Sequence, residues 1–269
     1  MIRVSALFIY PVKSCRRIAI DSAAVGATGF DFDRRWMVVG EDGGFLSQRK
    51  HPELAQVRVA LGQDRLSLEA PERPRLEIAL NEEPGPINRV VVWDDECTAI
   101  DEGVAAAKWF SEHLGSPVRL VRLSDDDARP LDASSAQPGD RVSFADGFPF
   151  LLLSKASLDD LNRRLSLPVP MARFRPNIVV EGCEPNAEDG WDRVRLGEVT
   201  FRVAKPCARC VVTTVDQATG ERGREPLRTL STYRTVDGQV LFGQNLIHEN
   251  RGIVRIGDLV TVLDGARDD

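Results

Sequence analysis

The sequence predicts a mainly β protein with a few helices, an α+β chain folded as two barrel-like β units. Three observations lead there. Short β-prone runs broken by Gly and Pro recur throughout the 269 residues, helical spacing is confined to three brief stretches, and no internal repeat points to an extended array. Hydrophobic residues are 42% of the chain, enough to supply a core for one large domain or two ordinary ones.

Residues 4–10 read as a strand that Pro11 stops, followed by the polar cluster Lys13-Ser14-Cys15-Arg16-Arg17. Residues 33–40 and 45–49 flank Glu41-Asp42-Gly43-Gly44, which is turn chemistry for a hairpin. Short strands continue over 55–61, 65–69, 76–80 and 89–93. From Asp101 the period changes. Val104, Ala107, Lys108, Trp109, Phe110 and Leu114 share a helical face, with Asp101 the expected N-cap and Gly115 just past the end. A strand over 118–123 then leads into the acidic, proline-ended 124–130 and the polar 134–140. These stretches are the expected linker, dividing the chain into residues 1–124 and 125–269.

In the second half, 148–153 reads as a buried strand and 157–165 as a short helix capped by Ser157. Residues 174–180, 193–196, 199–203 and 211–215 are β-rich, and 227–230 marks a short helix. The tail is expected to pair 243–246 with 253–263 around Gly257-Asp258.

A formal charge of −6 argues against a general nucleic-acid binder, which would need a net basic face. Five scattered cysteines, an odd number in a long chain, suggest a reducing compartment. The sequence runs from Met1 into a strand pattern without a charged leader, and it nowhere reaches about 18 consecutive apolar residues. The expectation is a cytoplasmic protein that does not bind a membrane.

Chemistry concentrates in Lys205-Pro206-Cys207-Ala208-Arg209-Cys210. Cations beside a thiol favour the thiolate, the form that attacks or binds metal. A structural zinc site would want a second close pair, which Cys15, Cys97 and Cys183 do not supply, and only three histidines are present. A thioredoxin-like dithiol would open a helix, whereas Val211-Val212-Thr213-Thr214 is β-prone. The ordinary alternative is a pair of buried small hydrophobes. Lys13-Ser14, Arg34-Arg35, Arg175 with Asn177, and Lys205 with Arg209 recur at predicted strand ends. Each alone reads as solvated surface, and Asn177 as a turn former. Converged on one cleft beside a thiolate, they suit a phosphorylated ligand, since Arg forks onto phosphate and Lys adds a point charge.

Five ordered motifs then bear on function: Ile9-Tyr10-Pro11-Val12-Lys13-Ser14-Cys15, Phe174-Arg175-Pro176-Asn177-Ile178, Lys205-Pro206-Cys207-Ala208-Arg209-Cys210 with Thr213-Thr214-Val215-Asp216, Glu225-Pro226-Leu227, and Phe242-Gly243-Gln244-Asn245. Together they resemble the MOSC-domain proteins, more narrowly the mitochondrial amidoxime-reducing components and their bacterial relatives. The resemblance covers almost the whole chain. It implies an N-terminal MOSC β-barrel domain, a MOSC domain, and a molybdenum cofactor (Mo-molybdopterin) lying between them. It also implies that Cys210 ligates the metal, while Lys13, Ser14, Arg34, Arg175, Asn177, Ala208 and Arg209 hold pterin and phosphate, Ala208 through its main chain only. The residues themselves do not choose Cys210 over Cys207. Asp216 reads as a proton donor or a turn former, and the motif holding Gln244 and Asn245 matches without a derivable task.

The implied activity is a molybdenum-dependent reduction of small N-hydroxylated substrates of the amidoxime or hydroxylamine type. No cysteine follows Cys210, so no iron–sulfur cluster is expected downstream, and electrons are expected from a separate ferredoxin- or cytochrome-like donor protein. The competing expectation is a carrier of persulfide sulfur or of the cofactor without this activity.

Overall fold

Alternation of inward apolar and outward polar side chains builds most of this molecule. In Arg193–Leu196 the valine and leucine are buried and both arginines exposed, the period-two signature of a sheet with one face on the core. The computed structural model describes residues 1–80, 85–124, 128–131 and 136–263, and among these the chain is mainly β with three α-helices.

The largest sheet has nine strands. Along its main path run Ile18–Ile20, Arg3–Ile9, Ile178–Glu181, Phe150–Ser154, Gln239–His248, Val199–Ala208, Arg193–Leu196 and Val260–Leu263, while Thr235–Val236 pairs with Gln239–His248. Two N-terminal strands, Ile18–Ile20 and Arg3–Ile9, thus extend a sheet otherwise made by the second half. Phe150–Ser154 and Ile178–Glu181 run parallel, and the crossover between them contains the helix Lys155–Arg164. A four-stranded sheet joins Trp36–Gly40, Val118–Leu123, Asp95–Asp101 and Ile87–Val92, and a three-stranded one joins Arg58–Leu61, Arg65–Glu69 and Leu76–Ala79. One core fills the large sheet with Leu7, Phe30, Phe150, Ile178 and Phe201. A second, around Trp36, Leu54, Leu66 and Phe110, packs the helix Gly103–Leu114 against the first half.

Several local expectations are corrected. The N-cap position of the first helix is Glu102; Asp101 ends a strand, although its carboxylate accepts from the Gly103 amide at 2.7 Å. Ser154 caps the second helix, its Oγ accepting from the Ser157 amide at 3.0 Å. The Asp95–Asp101 strand, unforeseen because Asp, Glu and Cys dilute its β-prone residues, pairs with Ile87–Val92. Residues 243–246 and 253–263 do not pair with each other. Gly252–Arg255 joins Ser22–Gly26, and Val260–Leu263 joins Arg193–Leu196. These are long-range partners that no local turn signal announces. The proposed division at 124/125 falls against Asp125–Asp127, and these residues, like 134–135 of the polar stretch, lie outside the described residues.

Candidate functional site

The N-terminal strand Arg3–Ile9 delivers its motif to a turn suspended between two sheets. The Trp36 amide donates to Pro11 O at 2.9 Å and the Lys13 amide to Trp36 O at 2.7 Å, so residues 11–15 hang from the strand Trp36–Gly40. Ser14 takes a left-handed φ of 70° within this turn. Opposite, the Val199–Ala208 strand is bulged twice, between Val203 and Lys205 and between Pro206 and Ala208, and it carries Cys207 to the same place. Residues 211–215 are not a strand. Val211–Thr214 form a 3₁₀ turn with Cys210 at its N-cap position. The threonine hydroxyls replace ladder bonds, Thr213 Oγ1 donating to Cys210 O at 3.0 Å and Thr214 Oγ1 to Val211 O at 2.8 Å.

One cleft gathers these pieces. Lys13, Ser14, Arg34, Arg175, Asn177, Ala208, Arg209 and Cys210 all line it, together with Cys207, Asn245 and Phe148. Sequence reasoning missed Arg49 and Asp146, which line the same cleft. The hairpin expected of residues 33–40 and 45–49 puts Arg49 at the end of a strand, but Phe45 makes only an isolated bridge and residues 47–51 turn instead. Its neighbours in sequence offered no signal, because its partners come from elsewhere in the chain. Five cations (Lys13, Arg34, Arg49, Arg175 and Arg209) face one carboxylate, Asp146, in a protein whose net charge is −6. The positive field is therefore local and built.

Asn177 is the hub beneath the cleft. Only 1% exposed, it accepts from Arg34 Nη1 at 2.9 Å and from the Leu151 amide at 3.3 Å, and donates to Phe8 O at 3.2 Å. The Tyr10 ring lies between two guanidiniums, Arg34 at 4.3 Å and Arg175 at 4.2 Å. Asp33, 3% exposed, holds the Tyr10 amide at 2.8 Å and Arg34 at 2.6 Å. Burial pulls Arg175 down to about 10, which leaves it charged at neutral pH. Burial also lowers Lys13, against the opposing pull of Asp146 at 2.5 Å. For Asp146, desolvation pushes upward, but Lys13, Arg49 and Arg34 outweigh it and hold the carboxyl below the usual carboxylate range. That group opens onto the cleft with 59% of its side chain exposed.

Both thiols face a cation. Arg209 Nη1 donates to Cys207 Sγ at 2.9 Å, and Arg49 Nη2 to Cys210 Sγ at 3.4 Å. All five cysteines are free. Arg34 and Arg175 share left-handed φ values with Ser14, 47° and 57°. Such backbone costs about 1–3 kcal/mol per residue and clusters where a ligand is gripped. Charge, thiols and strained backbone together fit an anionic cofactor that also takes a sulfur ligand, as the molybdenum pterin does.

Two ambiguities resolve differently from one another. Asp216 is a turn former, Oδ1 accepting from the Ala218 amide at 2.8 Å and Oδ2 pairing with Arg173 at 2.7 Å. Hydrogen bonds from Ala218 and Thr219 and the charge of Arg173 keep it below the usual range, against desolvation. Gln244 is buried away from the chemistry, donating to Asp189 at 2.8 Å, whereas Asn245 reaches the cleft. Gly243 precedes them at φ 82° because a Cβ there would stand 2.8 Å from Leu152 O.

Cys15, beside the cleft, is inert. Burial pushes its thiol up from about 9 to about 12, with Arg175 pulling the other way. A raised pKa means the folded state keeps a proton that the unfolded chain loses, so this contribution is present below about pH 9 and lost by about pH 12. Urea midpoints should fall over that window, and Cys15→Ala should flatten the fall. An unchanged slope would contradict the burial effect.

Fold and cleft together define a class: a mainly β scaffold whose two halves close around a cationic, thiol-bearing site. Residues 1–117 match the MOSC N-terminal beta barrel domain and residues 139–261 the MOSC domain. Mitochondrial amidoxime-reducing component 1 of Homo sapiens is 37% identical, over 97% of this chain and 82% of that protein. The Xenopus laevis counterpart is 38% identical, over 96% and 81%. A molybdenum cofactor sulfurase of Oryza sativa is 34% identical over 93% of this chain, but over only 33% of its own length. The chain belongs to the MOSC-domain family that includes the mitochondrial amidoxime-reducing components, and it is a molybdenum-cofactor-related protein.

Proposed function

We propose that this protein is a molybdenum-dependent oxidoreductase that reduces small N-hydroxylated compounds, taking electrons from a separate ferredoxin- or cytochrome-like donor protein in the cytoplasm. The observation that carries the reading is the convergence of five cations and two thiols on one cleft of an otherwise acidic protein. The names of the 37–38% identical relatives support the reaction class. No helix among the described residues is long and apolar enough to cross a membrane.

The bound molybdenum cofactor would supply two-electron oxygen-atom chemistry. Cys210 would supply the protein thiolate that holds it. Arg34, Arg175 and Arg209 would match the negative charge of pterin and phosphate, with Lys13 adding a point charge, Ser14 a further polar contact and Ala208 a main-chain contact alone. Asn177 and Asp33 fix the Arg34 guanidinium in place before anything binds. Phe148 and Phe150 supply apolar wall against water. Removing oxygen from an N-hydroxylated nitrogen consumes two electrons and two protons and releases water, so the donor protein must deliver both electrons.

Protein purified from a molybdenum-competent host is expected to hold stoichiometric molybdenum, to show the fluorescence of oxidised pterin on denaturation, and to reduce a benzamidoxime-type substrate with an artificial electron donor. A molybdenum-free, sulfur-loaded protein would establish the carrier role instead. Full loading without reduction would overturn the reaction class alone.

A further inference from the structure

We infer that Arg49 is a positioning residue for the Cys210 sulfur, and that Trp93 occupies its place in order to hold Arg49. This rests on Cys210 being the metal-binding thiolate. Arg49 reaches Cys210 Sγ at 3.4 Å from the first half of the chain. Its guanidinium lies 4.6 Å from the centre of the Trp93 ring, and Asp146 approaches it at 3.7 Å. The supports close into a ring of contacts. Trp93 meets Phe45 edge-on at 5.0 Å, Phe45 lies 4.8 Å from the Lys13 ammonium, and Lys13 pairs with Asp146 at 2.5 Å.

Trp93 is out of place by every local criterion. With Asp94 it forms the two-residue turn between Ile87–Val92 and Asp95–Asp101, where Asp95 pairs with Val92. Its φ is 59°, in the left-handed region that such turns reserve for Asn or Gly. The side chain is 46% exposed, so burial does not account for it. Flat support for a guanidinium does, because indole gives the strongest cation–π partner.

The consequence is electronic. A cation hydrogen-bonded to a ligating thiolate draws density from the sulfur and stabilises the reduced metal, which raises its reduction potential. Arg49 therefore sets the potential from outside the set of ligands and cofactor contacts, and Trp93 sets the position of Arg49.

The test uses the cofactor-loaded protein and reads the midpoint potential of the bound molybdenum by redox titration, alongside metal content and thermal midpoint. Arg49→Gln is expected to lower the potential, and Arg49→Lys to lower it less, since charge survives without the stack. Trp93→Asn relieves the turn, so its thermal midpoint stays equal or rises while the potential shifts the same way as in Arg49→Gln. Loss of molybdenum from Arg49→Gln but not from Arg49→Lys also supports the inference, the charge then being required for ligation. Unchanged potentials in loaded Arg49→Gln and Trp93→Asn overturn it. So does a Trp93→Asn protein that melts earlier at an unchanged potential, because Trp93 would then be packing alone. A wild-type protein without molybdenum brings down the underlying functional reading, and this inference with it.

Discussion

Cys210→Ser is expected to abolish molybdenum retention and to lower turnover by more than ~100-fold, beyond what losing a residue that merely supports a metal ligand costs. Cys207→Ser is expected to keep both metal and turnover close to wild type. The two thiols are separated by what surrounds them. Arg209 donates to Cys207 at 2.9 Å and to Phe174 O at 2.6 Å, an arrangement that a serine oxygen can also satisfy. Cys210 stands at the head of a 3₁₀ turn with extended backbone, φ −122° and ψ −178°, and its sulfur is approached by Arg49 from across the cleft. Serine there offers a hard oxygen where a thiophilic metal wants soft sulfur. Metal content and steady-state rates of the two variants decide the matter, and a reversed pattern would move the ligand to Cys207.

The second large effect is on stability. Asn177→Ala is expected to cost about 3 kcal/mol, measured as a shift in urea midpoint at constant m-value. Truncation removes the acceptor for Arg34 Nη1 and the Leu151 amide and the donor to Phe8 O in one step. The Leu151 amide and Phe8 O lie in or beside a 1% exposed site, where an unpaired polar atom cannot turn to water. Arg34 would also lose one of its three hydrogen-bond partners, keeping Asp33 and Arg175 O, so cofactor retention should fall with stability. A cost below about 1 kcal/mol, the worth of a single ordinary hydrogen bond, would show that Asn177 is a turn former and little more.

Much of the fold was legible because alternation is a local property. Arg193–Leu196 falls where its period-two pattern puts it, Val118–Leu123 where its β-prone run does, and Gly115 closes the first helix in the left-handed conformation, φ 68°. The misreadings share a cause. Val211-Val212-Thr213-Thr214 has strand composition, yet the chain must turn after Cys210, and threonine hydroxyls let it do so by bonding backwards. The caps moved by one to three residues because Asp101 and Ser157 each resemble a cap while the adjacent backbone geometry selects another residue.

For the site, the sequence alone determined which residue types were available and in what order: two thiols three apart, with cations at strand ends. It also carried the motifs of a family. That information is local, held in side-chain chemistry and spacing. Convergence belonged to the tertiary structure. Pairing of the N-terminal strand with Ile178–Glu181 brings Lys13 and Ser14 to the cysteines, and the turn at Trp93 brings Arg49 to Cys210. Residues more than 150 positions apart meet only when long-range strand pairing is complete, and no property of either segment by itself specifies that meeting.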